Sequence, residues 1–366
     1  MRFSYRYYRG RVGLYWILKA LGVGAGDEVA IPGFTCLAVP EAIFATGASP
    51  LYIDIGVNSV NVTAGDLQAK ITPRTKVIVL QHTFGIPVDA AALLQVSRTA
   101  GLHVVEDCCH TLQSEVDGKR VGDIGLAAFY SFEWGKPVVA GVGGAVRVND
   151  SDVERSIVES SIILEAPSWD RELKLAIQYL GYKLVYSPRR YWMLKDLFHK
   201  ASGVGLAVGN FNGVVGNRGT AESRGEFGLK MSRVASWRLS RALSKLEDDK
   251  KRALALLDQY DSLLADLALN PVQRPVGSRT VPVRYPLFVD DKDGMLLRAR
   301  ELGVEVAEWY ASPVHPLGPE ALAKVGYLVG SCPQAERAAG RIVSFPIRGA
   351  SEGYLEQLRQ LLVGRA

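Results

Sequence analysis

The chain is poor in the features that mark anchored, secreted or metal-built proteins. Its 366 residues contain no apolar run long enough to cross a bilayer, which excludes an integral helical membrane protein. The opening shows no charged n-region leading into an apolar h-region, so a cytoplasmic location is expected. Four cysteines, Cys36, Cys108, Cys109 and Cys332, lack metal-ligand spacing, and adjacent cysteines seldom bridge one another. Free thiols in a reduced compartment are expected. Neither charge sign dominates: 43 Lys and Arg against 38 Asp and Glu leave +5, too little to suggest a nucleic-acid binder. No internal repeat stands out, which argues against a solenoid. The one glycine string resembling a dinucleotide fingerprint, "GVGAGD", precedes a strand instead of following one, the wrong context for that motif.

What is present is alternation. "VGLYWILKAL" (Val12–Leu21) reads as a helix, "EVAIPGF" as a short buried strand, "TCLAVPEAIFATG" as a helix and "SPLYIDI" as the next strand. The pattern continues through helical "LQAKI", the apolar strand "TKVIVLQHTFG", helical "DAAALLQVSRTAG" and the strand "LHVVEDCCH". Continuous apolar strands alternating with helices predict an α/β fold with a mostly parallel sheet covered on both faces, and functional residues at strand C-terminal ends. Past Asp150 the pattern changes. The region to about residue 225 is aromatic and helical, with seven Lys/Arg against three Asp/Glu between Ala166 and Lys200. A long helix or helix pair follows and ends before Pro271; "VPVRYPLFVD", "LLRARELGVEVAEWY", "RIVSFPI" and "YLEQLRQLL" then alternate as a smaller α/β unit. The expected division is a large domain over residues 1–240, extended at about 151–225, and a long helix plus small domain over residues 241–366.

Three polar groups fall near strand ends. Lys136 stands between the aromatic run "YSFEW" and a string of small residues with Gly141, Gly143 and Gly144, where backbone can approach another group closely. Asp107 ends "LHVVED", a costly place for a carboxylate without a cationic or hydrogen-bonding partner. Ser131 ends "LAAFYS". An amine, a carboxylate that keeps a ring nitrogen protonated and a hydroxyl for a phosphate are the parts a pyridoxal phosphate site needs. The structural alternative makes Asp107 a helix cap, Ser131 a core hydroxyl and Lys136 a surface charge. The opening "MRFSYRYYRGR" interleaves arginines with aromatics, and reads either as a phosphate-holding set or as a solvated edge arm.

These pieces resemble, along nearly the whole chain, the DegT/DnrJ/EryC1/StrS sugar aminotransferases, fold-type I pyridoxal phosphate enzymes. The matching stretches are "LGVGAGDEVAIPGFTCLAVPEAIFATGASPLYIDI", "ITPRTKVIVLQHTFGIPVD", the segment from "GLHVVEDCCH" to Lys136, "GGAVRVND" and "WYASPVHPL". The resemblance implies a large, mostly parallel α/β/α sheet domain and a smaller C-terminal α/β domain. It makes Lys136 the lysine that carries the cofactor and shuttles a proton, Asp107 the partner of the pyridine nitrogen, His110 a neighbour of the phenolate oxygen, and Ser131 a phosphate ligand. Gly10, Arg11 and Val12 fall on the phosphate-cradling turn before the first helix. His82 and Phe84 in "QHTFG", and Tyr310 and His315 in "WYASPVHP", are substrate-pocket candidates. The implied activity transfers an amino group from L-glutamate to a keto-sugar, nucleotide-linked by expectation, for surface polysaccharide or glycosylated metabolites, by a homodimer that binds no nucleic acid.

The departures are specific. Cys36 stands where the family has an aromatic ring against the cofactor. Gly228 and Lys230 stand where an asparagine that reaches the partner subunit, and an arginine, are usual. Gly135-Lys136-Pro137 replaces Thr-Lys-Asn. A cyclitol substrate, or a regulatory protein that binds cofactor without turnover, are the alternatives; a dehydratase would carry histidine at Lys136. For the added segment, dimer packing is the favoured role, with a nucleotide diphosphate or a membrane surface as the other partners considered.

Overall fold

The computed structural model describes residues 3–161, 164–185, 190–196, 225–348, 350 and 352–363. Its first part contains β1 (Tyr5–Tyr7), α1 (Gly10–Ala20), β2 (Glu28–Pro32), β3 (Thr35–Cys36), α2 (Ala38–Thr46), β4 (Ser49–Ile53), α3 (Ala64–Lys70), β5 (Thr75–Gln81) and α4 (Ala90–Ala100). Then come β6 (His103–Asp107), the small ribbon β7 (Glu115–Val116) and β8 (Lys119–Arg120), β9 (Ala127–Ser131) and β10 (Gly144–Val148).

One seven-stranded sheet has the order β1-β10-β9-β6-β5-β2-β4. Strands β4, β2, β5, β6 and β9 run parallel, and β10 and β1 close one edge antiparallel. Period-two alternation sorts the side chains. Val29, Ile31, Val77, Val79 and Val105 enter the core formed with α1 and α2, through Leu14, Ile17 and Ile43. Ala30, Ile78, Leu80 and Val104 enter the opposite core with Leu67 of α3 and Leu93 of α4. A strand apolar at every position is what two covered faces require. The opening is neither a free arm nor a solvated edge: Tyr5 to Tyr7 pair in register with Val146 to Gly144, and Tyr7 and Tyr8 are buried.

Beyond the sheet lie α5 (Ser151–Ser161), α6 (Trp169–Val185) and a helical turn at 191–196. The expected long helix is a pair, α7 (Arg233–Leu243) and α8 (Leu246–Asp266). The remainder is β11 (Arg284–Phe288), α9 (Lys292–Glu301), β12 (Val314–His315), α10 (Pro319–Leu322), α11 (Pro333–Arg341), β13 (Ile342–Pro346) and α12 (Glu352–Val363). A separate core joins α8, the antiparallel pair β11 and β13, α9 and α12 through Leu257, Tyr260, Tyr285, Met295, Phe345 and Leu358. The segment carrying Tyr310, Val314, Leu322, Tyr327 and Cys332 instead packs into the large core. Its strand β12 pairs with β3, setting His315 beside Cys36.

Candidate active site

The C-terminal ends of β6 and β9, the first turn of α1 and the segment 307–316 enclose a cavity of about 760 Å³. Sheet topology puts it there, because parallel strands end together and their loops diverge. Gly10, Arg11, Cys36, Asp107, His110, Ser131, Lys136, Tyr310 and His315 line it. Val12, His82 and Phe84 do not.

Lys136 lies in the turn after β9, its N–H donating to the Glu133 carbonyl at 3.2 Å. Its Nζ stands 4.9 Å from the centre of the Trp309 ring, over the face where a cation is attracted. Asp107 ends β6, and its Oδ1 accepts from the Cys109 N–H at 2.9 Å. Burial pushes its carboxyl above the ordinary range, against the pull of the Cys109 donors and of Lys136. Among the described residues no cationic side chain makes a salt bridge with it. A cavity-floor carboxylate in that state suits a protonated ring nitrogen.

His110 accepts the Phe84 N–H on Nδ1 at 3.0 Å, which leaves the proton of the neutral ring on Nε2, 3.4 Å from the Tyr310 hydroxyl. Burial, with Lys136 adding to it, drives its pKa well below the usual value, so the ring is neutral. Its ring centre lies 4.7 Å from that of Trp309. Cys36 lines the wall as a thiol, pushed up to about 11 by burial. His315 is pushed down to about 4, again by burial, and its Nδ1 accepts the Ala311 N–H at 3.1 Å.

At the opposite end, α1 begins at Gly10, packed so closely that an added Cβ would come 3.0 Å from Cβ of Ser131. A helix start beside a serine hydroxyl favours an anion. Arginines are built in behind it. Arg11 pairs with Glu41 inside the protein, and Arg9 is held between Glu133 at 3.2 Å and Glu226 at 2.9 Å. Gly228 and Lys230 lie in the same neighbourhood: the Glu165 N–H donates to the Gly228 carbonyl and the Lys230 N–H to the Glu165 carbonyl, each at 2.8 Å, and a bridge joins Lys230 to Tyr7 of β1.

Three of the expected site residues lie outside this cavity. His82 is wholly buried with Nε2 3.1 Å from Glu106, whose carboxylate also accepts from the N–H groups of Gly122, Ile124 and Gly125. Burial would raise Glu106, but these donors hold it below the usual range. Phe84 packs beneath His110, Trp309 and Tyr310. Val12 points into the core.

Several cavity residues went unselected in the sequence. Trp309 sat in a motif already noted, next to Tyr310. Glu133 and Trp134 flank the lysine itself. Tyr191 and Lys195 come from the aromatic, basic stretch, which only folding brings to the cavity: Trp192 Nε1 donates to the Val304 carbonyl at 2.9 Å and Lys195 Nζ pairs with Glu308 at 2.7 Å.

An amine and a buried carboxylate at strand ends, facing a helix start across one cavity of a parallel α/β sheet, define a strand-end α/β enzyme site. The chain belongs to the DegT/DnrJ/EryC1/StrS aminotransferase family, whose model matches residues 9–186 and 201–353. It is 36% identical over 149 residues to the UDP-N-acetyl-3-dehydro-alpha-D-glucosamine 3-aminotransferase of Acidithiobacillus ferrooxidans, covering 40% of this chain and 40% of that relative. The match thus spans about two fifths of the relative's length. A pleiotropic regulatory protein of Geobacillus stearothermophilus is 26% identical over 339 residues, 92% of this chain and 78% of that one. In fold, the chain is similar to a putative sugar aminotransferase of Streptococcus pneumoniae solved in its pyridoxal phosphate form, with a TM-score of 0.74 at 18% identity, covering 98% of this chain and 85% of that one. No helix among the described residues is long and apolar enough to cross a membrane.

Proposed function

We propose that this chain is a pyridoxal phosphate-dependent aminotransferase that moves an amino group from L-glutamate to a keto-sugar carried on a nucleotide, working as a homodimer. The observation that carries the reading is the joint presence, in one cavity opposite the start of α1, of Lys136 and of an Asp107 with no ion-pair partner among the described residues. Bound pyridoxal phosphate supplies an aldehyde for the substrate amine and an electron-withdrawing ring that stabilises negative charge at the reacting carbon.

The chain's own residues do the rest. Lys136 is the amine that holds the cofactor, and Nζ is the base that takes the proton from the donor's Cα. The face of Trp309 keeps Nζ in the cavity. Asp107, raised by burial, gains the positive partner it lacks when a protonated pyridine nitrogen approaches. His110, neutral with its proton on Nε2, donates toward the cofactor's phenolate edge. Ser131 and the first turn of α1, with Gly10 and Arg11, take the phosphate. Cys36 packs as a small apolar group where relatives place a ring. His315 and Tyr310 form the wall toward the substrate, and Lys195 is positioned for a substrate anion.

Similarity to a regulatory protein along most of the chain, together with Cys36, supports a second reading: a cofactor-binding protein without turnover. Single-turnover assays separate the two. Glutamate added to the cofactor-loaded protein yields one equivalent of 2-oxoglutarate if the first reading is right and none if the second is.

A further inference from the structure

Two arginines flank Gly10 at the start of α1, and the fold treats them differently. Arg9 does not line the cavity; its guanidinium is held between Glu133 at 3.2 Å and Glu226 at 2.9 Å. Arg11 does line it, and its Nη1 donates to the carboxylate of Glu41 in the first turn of α2, with both side chains 6% exposed. A phosphate seated at Ser131 and the first turn of α1 therefore meets a cation that already has a partner.

The charges around this helix start are weighted against an anion. Two guanidiniums face three carboxylates, so the arginines hold no surplus positive charge. Glu41 is the most buried of the three carboxylates. Its Oε2 accepts from Arg11, while its Oε1 is buried and accepts no hydrogen bond among the described residues. Such a group is costly, and its tie to Arg11 is what offsets the cost. Burial pushes the Glu41 carboxyl up against the pull of Arg11 and Arg9, with Glu226 and Glu133 adding to the rise. The start of α2 acts the other way, since a helix N-terminus favours a carboxylate. Glu41 does not itself line the cavity, so any effect it has on a ligand runs through Arg11. A guanidinium can serve two oxyanions from one planar fork, but both draw on the same charge.

We propose that Glu41 is a positioning residue that competes with the phosphate for Arg11: it holds the guanidinium back in the wall, and a bound phosphate draws it toward the cavity. The inference rests on the reading of the cavity as a pyridoxal phosphate site. Glu41 then sets how strongly the phosphorylated cofactor is preferred over pyridoxal, which lacks the phosphate. A carboxylate that only oriented Arg11 would show the opposite effect on removal, which makes the sign decisive.

The test measures dissociation constants for pyridoxal phosphate and for pyridoxal by equilibrium dialysis on the intact protein, the wild type beside Glu41→Gln, Arg11→Gln and the double variant. Glu41→Gln keeps the size of the side chain and removes the rival charge. It should tighten pyridoxal phosphate at least about fivefold and change pyridoxal by less than about twofold. Arg11→Gln should weaken pyridoxal phosphate at least about tenfold, and adding Glu41→Gln to it should recover less than about twofold, because the competition needs Arg11. Thermal melting gives a readout that does not involve the cofactor. Without ligand, Glu41→Gln should melt below the wild type, since Arg11 stays buried beside a neutral amide, and inorganic phosphate should raise its melting temperature more than the wild type's. The double variant leaves no lone buried charge and guards against misfolding of Arg11→Gln. Weaker pyridoxal phosphate binding by Glu41→Gln overturns the proposal, and so does an equal change for pyridoxal phosphate and pyridoxal. A wild type that binds neither form overturns the reading of the cavity, and the proposal with it.

Discussion

At the scale of single residues, the cavity joins groups whose protonation is set by burial. Lys136→Ala removes the amine and should lower amino transfer by about 10⁴-fold or more, measured as the rate of 2-oxoglutarate formation per enzyme. Asp107→Asn keeps the shape and removes the charge; kcat should fall on the order of 100-fold, with pyridoxal phosphate bound more weakly in equilibrium dialysis. His315 gives a pH signature. Burial lowers its pKa to about 4, so between about 6.5 and 4 the unfolded chain binds a proton that the folded chain refuses, and stability falls as pH falls through that window. Thermal melts from pH 7 to pH 4 should show this loss, on the order of 1 kcal/mol, and His315→Gln should lessen it. Asp107, Ser131 and Lys136 were legible in the sequence because each stands where an apolar strand meets a turn. His82 and Phe84 also follow a strand, in "QHTFG", yet they lie outside the cavity: His82 turns inward to Glu106, and the Phe84 N–H donates to His110 Nδ1.

At the scale of elements, the alternation of apolar strands and helices was plain because each strand is covered on both faces, leaving no polar alternation to confuse it. The edge was harder to read. Strand β1 is three residues of tyrosine and arginine; it pairs with β10, and its Tyr7 is buried in the large core. The same edge positions α1: a Cβ on Gly144 would lie 2.2 Å from the carbonyl carbon and oxygen of Arg9, so the strand can approach the helix start only without a side chain. Gly144→Ala should destabilise the protein by about 1–3 kcal/mol and, by displacing Arg9 and Gly10, weaken pyridoxal phosphate binding. Gly340→Ala, in α11 with open space around it, should be neutral or raise the melting temperature slightly. Differential scanning calorimetry on the two variants checks the sign of each.

At the scale of the whole molecule, the cavity is built from parts far apart in the chain, and this is why the sequence showed only some of it. The strand ends and the lysine turn lie within the first 150 residues, where β-α-β order brings them together. Trp309, Tyr310 and His315 arrive because β12 pairs with β3, a two-residue contact with no local signal. Lys195 and Tyr191 arrive because Trp192 hydrogen-bonds to Val304 near the end of α9. Lys195→Ala should raise KM for the nucleotide-linked substrate several-fold while leaving kcat for the glutamate half-reaction unchanged, since it sits at the wall and not beside Lys136. In the proposed function, Lys136 holds pyridoxal phosphate in a site that accepts an amino group. The most direct test is the absorption spectrum of the purified protein with pyridoxal phosphate, before and after L-glutamate, beside Lys136→Ala. The wild type is expected to show a yellow band that glutamate converts to the pyridoxamine phosphate spectrum, and the variant no such band before glutamate is added. Identical spectra for the two proteins, unchanged by glutamate, would contradict it.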